Sequence, residues 1–152
     1  MNPDEAARLA RTIVDANAYM TLATADAAGD PWASPVWFAH DRYARYVWVS
    51  RPEARHSHNI ADRGNVGIVI FDSTVPIGTG QGVYIEATAT VADAADVGDL
   101  IAVFSARSES TGGHRWHAPD VEGESTFRLY VATARAHYVL APDDRRIPVE
   151  IG

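Results

Sequence analysis

Apolar positions first recur at helical spacing: Ala6, Leu9, Ile13 and Val14 follow Pro3, Asp4 and Glu5 in "NPDEAARLARTIVDAN". Proline and acids suit a first helical turn, where N–H groups are unpaired and the dipole is positive, so a short N-terminal helix is expected. β-branched and aromatic residues follow in "AYMTLATAD", then a turn at "AAGD" and an extended pattern in "PWASPVWFAHD", which together predict a hairpin. Pro31 and Pro35 disfavour a helix and point to irregular pairing in that second strand. "RYARYVWVS" predicts a third strand after a tight turn near Asp41 and Arg42, and "RPEARHSHNIADRGN" a short helix ending near Gly64. "VGIVIFD" is almost wholly apolar, which predicts a strand buried on both faces.

Beyond a glycine-rich connection, Val83, Ile85, Ala87, Ala89 and Val91 alternate with Tyr84, Glu86, Thr88 and Thr90 in a fifth strand. "DAADVGDLIAVFSARS" reads as a helix with Val97, Leu100, Ile101, Val103 and Phe104 inward. "ESTGGHRWHAPDVEGES" reads as a polar loop or lid, "TFRLYVATARAHYVLA" as two strands, and "RRIPVEI" as a short last one. The pattern gives a mainly β fold of six or seven antiparallel strands with three short helices and no regular βαβ alternation. A small β-barrel hides the edges of so many short strands. A chain of 152 residues suits one domain, 1–152, with a substantial core.

The connection "DSTVPIGTGQG" carries Gly78, Gly80 and Gly82 around Gln81. A phosphate loop needs glycines that open a helix, whereas a strand follows here, and no GK[ST] is present. Two readings stay open: a flexible strand connection, or a loop that lets a flat ligand approach the backbone while the Gln81 amide hydrogen-bonds to it. "SRPEARHSHNI" is more informative. Ser50 ends a strand, and Arg55 with His56 begins a short helix, so a hydroxyl, a guanidinium, an imidazole and free helix N–H groups can converge on an anion. The alternative there is a solvated helix start.

Composition removes several classes. Basic residues number 13 against 20 acidic, a net charge of −7 without a basic stripe, so nucleic acid is not an expected partner. Cysteine is absent, which excludes disulfides, thiolate metal sites and cysteine nucleophiles. The pairs His56 with His58 and His114 with His117 lack a clear third ligand, so no metal is expected. Ser34, Ser50 and Ser57 lack a Gly-x-Ser-x-Gly frame. With no signal-peptide pattern at the start and no apolar run near the roughly 20 residues that span a bilayer, a cytoplasmic protein without membrane contact is expected.

The order of these segments resembles the pyridoxamine 5′-phosphate oxidase-like split β-barrel flavoproteins over about residues 5 to 92. "GDPWASPVWFAHD", "VWVSRPEARHSHNIADRGNVGIVIFD" and "GQGVYIEATATV" carry the likeness. The resemblance implies a homodimer with FMN between protomers and hydride transfer to a small substrate. By position it puts the cofactor's phosphate on Ser50, Arg55 and His56, runs Ser34, Pro35, Val36 and Trp37 beside the flavin, and brings Thr79 and Gln81 to the ring. Departures are His56 in place of a lysine, Ser34 and Ala39 where the oxidases place basic residues, and unmatched surroundings for Arg135 and His137 in "TARAHY". Vitamin B6 oxidation is therefore not the preferred activity, and the deazaflavin coenzyme is an alternative to FMN. Two other functions stand beside it: a flavin-binding module for storage or sensing without turnover, and a haem-binding split barrel with His56, His114 or His117 as axial ligand.

Overall fold

A computed structural model describes all 152 residues. Helix α1 (Pro3–Ala16) is capped by Asn2, whose side chain accepts from the Glu5 N–H while the Glu5 carboxylate accepts from the Asn2 N–H, both at 2.9 Å. The strands are β1 (Tyr19–Ala25), β2 (Pro31–Trp37), β3 (Ala39–Asp41), β4 (Arg45–Ser50), β5 (Asn65–Phe71), β6 (Gly82–Val91), β7 (Arg128–Leu140) and β8 (Arg146–Val149). Helices α2 (Arg55–Asp62) and α3 (Ala94–Ser110) and a single 3₁₀ turn (Ala118–Val121) complete the chain. None of the helices is long and apolar enough to cross a membrane.

All strands join one antiparallel sheet in the order β2-β1-β5-β6-β7-β4-β3, with β8 on the second half of β7. The edge strands β2 and β3 are consecutive in the chain, separated only by Phe38. Successive Cα atoms lie about 3.8 Å apart, so one residue cannot bridge the width of an open sheet. The sheet therefore curls until its edges meet, and the apolar faces of its strands line the inside of a split barrel. Phe38 is fully buried at this seam, against the Tyr46 ring and beneath the Arg107 guanidinium, at 6.1 and 4.9 Å between centres. Arg107 also donates to the Asn17 carbonyl at 2.6 Å, tying α3 to the entry of β1.

The main core contains Met20, Leu22, Ile68, Ile70, Ile85 and Trp48 inside the barrel and the buried face of α1 against it. A second cluster lies where Val97, Leu100, Ile101 and Phe104 of α3 cover Ala39, Val47 and Leu129.

Three expectations need correction. β5 is buried on one face only: Val66, Ile68 and Ile70 point inward, whereas Gly67 and Val69 are half-buried on the outer face. No helix crosses over β5, because both of its neighbours are antiparallel. "TFRLYVATARAHYVLA" is a single strand, with a bulge opposite Glu86 and Ala87 that absorbs Arg135. "PWASPVWFAHD" is two strands, parted at Phe38 and carried to opposite edges.

Phe38→Ala is expected to lower unfolding stability by about 3–5 kcal/mol, as for other aromatic-to-alanine changes in cores. Urea unfolding followed by tryptophan fluorescence measures this, and a loss below about 1 kcal/mol would mean that the seam is not a packing site.

Candidate anion site at the base of the barrel

β4 ends at Ser50, and after four intervening residues α2 begins at Arg55. The turn between them is locked: the Arg51 carbonyl accepts from the Ala54 N–H at 3.1 Å and from Ser57 Oγ at 2.8 Å. Helix α2 is pinned to β1 by Asn59 Nδ2, which donates to Thr24 Oγ1 at 3.0 Å, both side chains being buried. With Ala54 at its N-cap, α2 has no side-chain acceptor, and the N–H groups of Arg55 and His56 have no protein partner. Ser50 Oγ and His56 Nε2 lie 2.8 Å apart beside this helix start. The Arg55 guanidinium stacks 4.3 Å above the Trp32 ring of β2 and faces no carboxylate.

The result is a hydroxyl, an imidazole and unpaired helix N–H groups at one place, with the Arg55 guanidinium held over Trp32 at the same helix start and paired with no carboxylate. Such a set binds phosphate or carboxylate through charge-assisted hydrogen bonds. Burial lowers the His56 pKa from 6.5, so the imidazole is neutral at pH 7 in the free protein. An arriving anion favours the charged form again.

The remaining expected positions lie elsewhere. β6 spans ten residues, and Gln81 precedes its first while Ser50 lies level with the far end, near Tyr130 and Val91. At about 3.3 Å per residue, roughly 30 Å separates Gln81 from the anion site within one chain. Thr79 donates its hydroxyl to the Pro76 carbonyl at 2.6 Å, closing the turn whose Gly78 has φ +81°. Gln81 itself is exposed. On β2, Val36 is buried, Ser34 half-buried and Pro35 exposed. Trp37 packs edge-on to Phe104 of α3 at 5.0 Å.

In a regular strand Arg135 and His137 would share a face. The bulge separates them: Arg135 is exposed, and His137 turns inward to Tyr46, with Oη and Nε2 3.1 Å apart. Burial raises the Tyr46 pKa, so the phenol stays protonated and donates to the imidazole, whose own pKa burial lowers. In the polar loop, the Trp116 N–H donates to Ser105 Oγ at 2.8 Å and the Trp116 ring meets Phe104 edge-on at 5.5 Å, so this segment is anchored on α3. His114 and His117 beside it are exposed. Trp32 escaped the sequence reading, because its contact with Arg55 joins two elements and no local spacing signals it.

The sequence pattern of the family described as pyridoxamine 5′-phosphate oxidase matches residues 7–140. The chain belongs to that family. Three solved structures show its fold on chains of low identity. A haem-binding protein from Mycobacterium smegmatis superposes with a TM-score of 0.75 at 22% identity, over 94% of this chain and 57% of that one. The present chain thus spans little more than half of that relative's length. HutZ, the haem storage protein of Vibrio cholerae, gives 0.67 at 18% identity over 89% of this chain and 92% of that one. A candidate pyridoxamine 5′-phosphate oxidase from Listeria innocua gives 0.62 at 15% identity over 86% and 94%. No curated protein sequence matches. In this member of the pyridoxamine 5′-phosphate oxidase family, a histidine, His56, lies between the strand hydroxyl and the helix start.

The free protein is expected to lose stability as pH falls below 6.5, because the unfolded chain takes up protons at His56 and His137 that burial denies the folded one. Urea midpoints at pH 7.5 and 5.5 test the sign, and His56→Gln should flatten the slope. A slope unchanged in that variant would show that His56 does not titrate differently on folding.

Proposed function

We propose that this protein is a homodimeric flavin-dependent oxidoreductase that holds the phosphate of FMN at Ser50, His56, Arg55 and the start of α2. The observation that carries this reading is the Ser50–His56 pair beside an uncapped helix start whose first residue, Arg55, is paired with no carboxylate. Membership of the pyridoxamine 5′-phosphate oxidase family supports it. The same donors suit the deazaflavin coenzyme, which an absorption spectrum separates from FMN.

A second copy of the chain explains the roughly 30 Å between Gln81 and the phosphate groups, since a two-fold partner can bring its own Gln81 to the ring. The outer sheet face supports such a partner. It carries an open groove of about 300 Å³ lined by Thr21, Ala23, Gly67, Val69, Tyr84 and Tyr138, and Tyr19 and Phe71 on that sheet are 60% and 49% exposed. A bound flavin supplies hydride transfer; the chain's residues anchor and orient it. The Gln81 amide is a preorganised hydrogen-bonding group for the polar edge of the ring, where charge develops on reduction.

A second reading follows from the haem-binding relatives: this chain binds haem, with exposed His114 or His117 as the axial ligand, His56 being engaged with Ser50. A third keeps the flavin but no turnover, as in storage or sensing. Flavin bands in the purified protein support the proposal and a Soret band the haem reading. Reoxidation of the reduced protein by oxygen, quinones or enones separates enzyme from carrier.

Arg55→Ala is expected to weaken FMN binding by about 1.5–3 kcal/mol, the scale of a charged hydrogen bond, in fluorescence-quenching titrations. An unchanged Kd would remove Arg55 from the site.

A further inference from the structure

Charge is almost absent from one side of the sheet. Strands β2, β1 and β5 contain no acidic or basic residue, β6 contains one, Glu86, and β7 beyond Tyr130 adds Arg135 besides the inward-turned His137. The two charges stand side by side. Glu86 is opposite Ala136 in the register and Ala87 opposite Ala134, so the bulge sets Arg135 beside Glu86, and both residues are exposed. Neither forms an ion pair within 4.0 Å, and the Glu86 carboxylate has only the Tyr138 hydroxyl, which donates at 3.5 Å. The register row that leads to Glu86 is small, with Ala33, Ala23 and Gly67 in turn, and Glu86 and Tyr138 line the open groove of about 300 Å³ on this face.

Covering an apolar face strips water from any charge it holds, and a charge left unpaired there opposes association. The cover must therefore bring a base to Glu86 and an acid to Arg135. A second copy of the chain does so with the same two residues, because a two-fold contact of one residue with another is repeated in reverse. We propose that two copies pack through this face about a two-fold axis that lies between the sheets and crosses the strands at the level of Glu86, where Glu86 of each protomer meets the partner's Arg135. This rests on the two-fold reading above and places its axis. The position of Glu86 gives an independent reason for it. Gln81 lies five residues before Glu86 and Val91 five residues after it. At about 3.3 Å per residue, this axis carries the partner's Gln81 roughly 16 Å past Glu86, to the level of Val91 and Ser50. The axis that pairs the charges is thus the one that brings the partner's Gln81 to the end of the barrel where the candidate phosphate groups lie.

Sedimentation equilibrium of the full chain tests it, and the unaltered chain is expected to dimerise. Glu86→Arg sets arginines against each other at the contact and Arg135→Glu sets glutamates, so each should raise the dimer Kd at least about tenfold. Mixing the two variants in equal amounts should restore dimers that hold one chain of each kind, with a Kd within about threefold of the unaltered one. Pairing inside one chain cannot produce that rescue, since each variant chain lacks an opposite charge of its own. Circular dichroism checks the folding of each variant, and Glu86→Lys or Arg135→Asp replaces one that fails. A dimer Kd untouched by either reversal, or a mixture as monomeric as its components, overturns the contact of Glu86 with Arg135 and leaves the two-fold reading standing. An unaltered chain that stays monomeric overturns both.

Discussion

A one-residue link between the two edge strands governs this structure. Because only Phe38 separates β2 from β3, the sheet closes on itself. Closure brings the end of β4 and the start of β2 to the same rim. There the short helix α2 plugs the base, held by Asn59 to Thr24. The candidate anion site is built on that plug. Ser50 comes from the rim strand, His56 and the free N–H groups from the helix, and the stacking partner of Arg55 from β2, which is distant in sheet order. Without the seam at Phe38 these groups would belong to opposite edges of an open sheet.

Charge alone does not mark the site, since acidic residues outnumber basic ones. Local pairing does. Arg42, Arg45, Arg115, Arg145 and Arg146 are spent on nearby carboxylates, and Arg128 on the carbonyls of Gly123, Ser125 and Phe127. Arg51 and Arg55 are kept against aromatic rings instead, which leaves their hydrogen-bonding edges free. Burial lowers the pKa of His56, which favours its neutral form in the free protein.

Much of this was legible in the chain. Alternation in "GVYIEATATVAD" and helical spacing after Pro3 name their elements directly, and of Ser50, Arg55 and His56, grouped from seven neighbouring positions of sequence, the structure places Ser50 and His56 2.8 Å apart. What stayed hidden is cross-element. The split at Phe38, the Trp32 stack and the bulge at Arg135 arise from sheet order and closure, and no local period encodes those. The apolar run "VGIVIFD" misled because Gly67 and Val69 are apolar like their neighbours, yet the strand leaves them half-buried on its outer face. Gln81 shows the same limit from the other side: it shares a loop signal with flat-ligand sites, yet it stands at the opposite end of the barrel from Ser50, Arg55 and His56.

The proposed two-fold site reconciles that separation, and subunit complementation tests it most directly. Arg55→Ala and Gln81→Ala chains are refolded together and flavin binding is titrated against each variant alone. If each site draws Arg55 from one protomer and Gln81 from the other, the mixed dimers regain sites of unaltered affinity that neither variant shows by itself. Binding by the mixture that equals the average of the two separate variants would contradict a site shared between protomers.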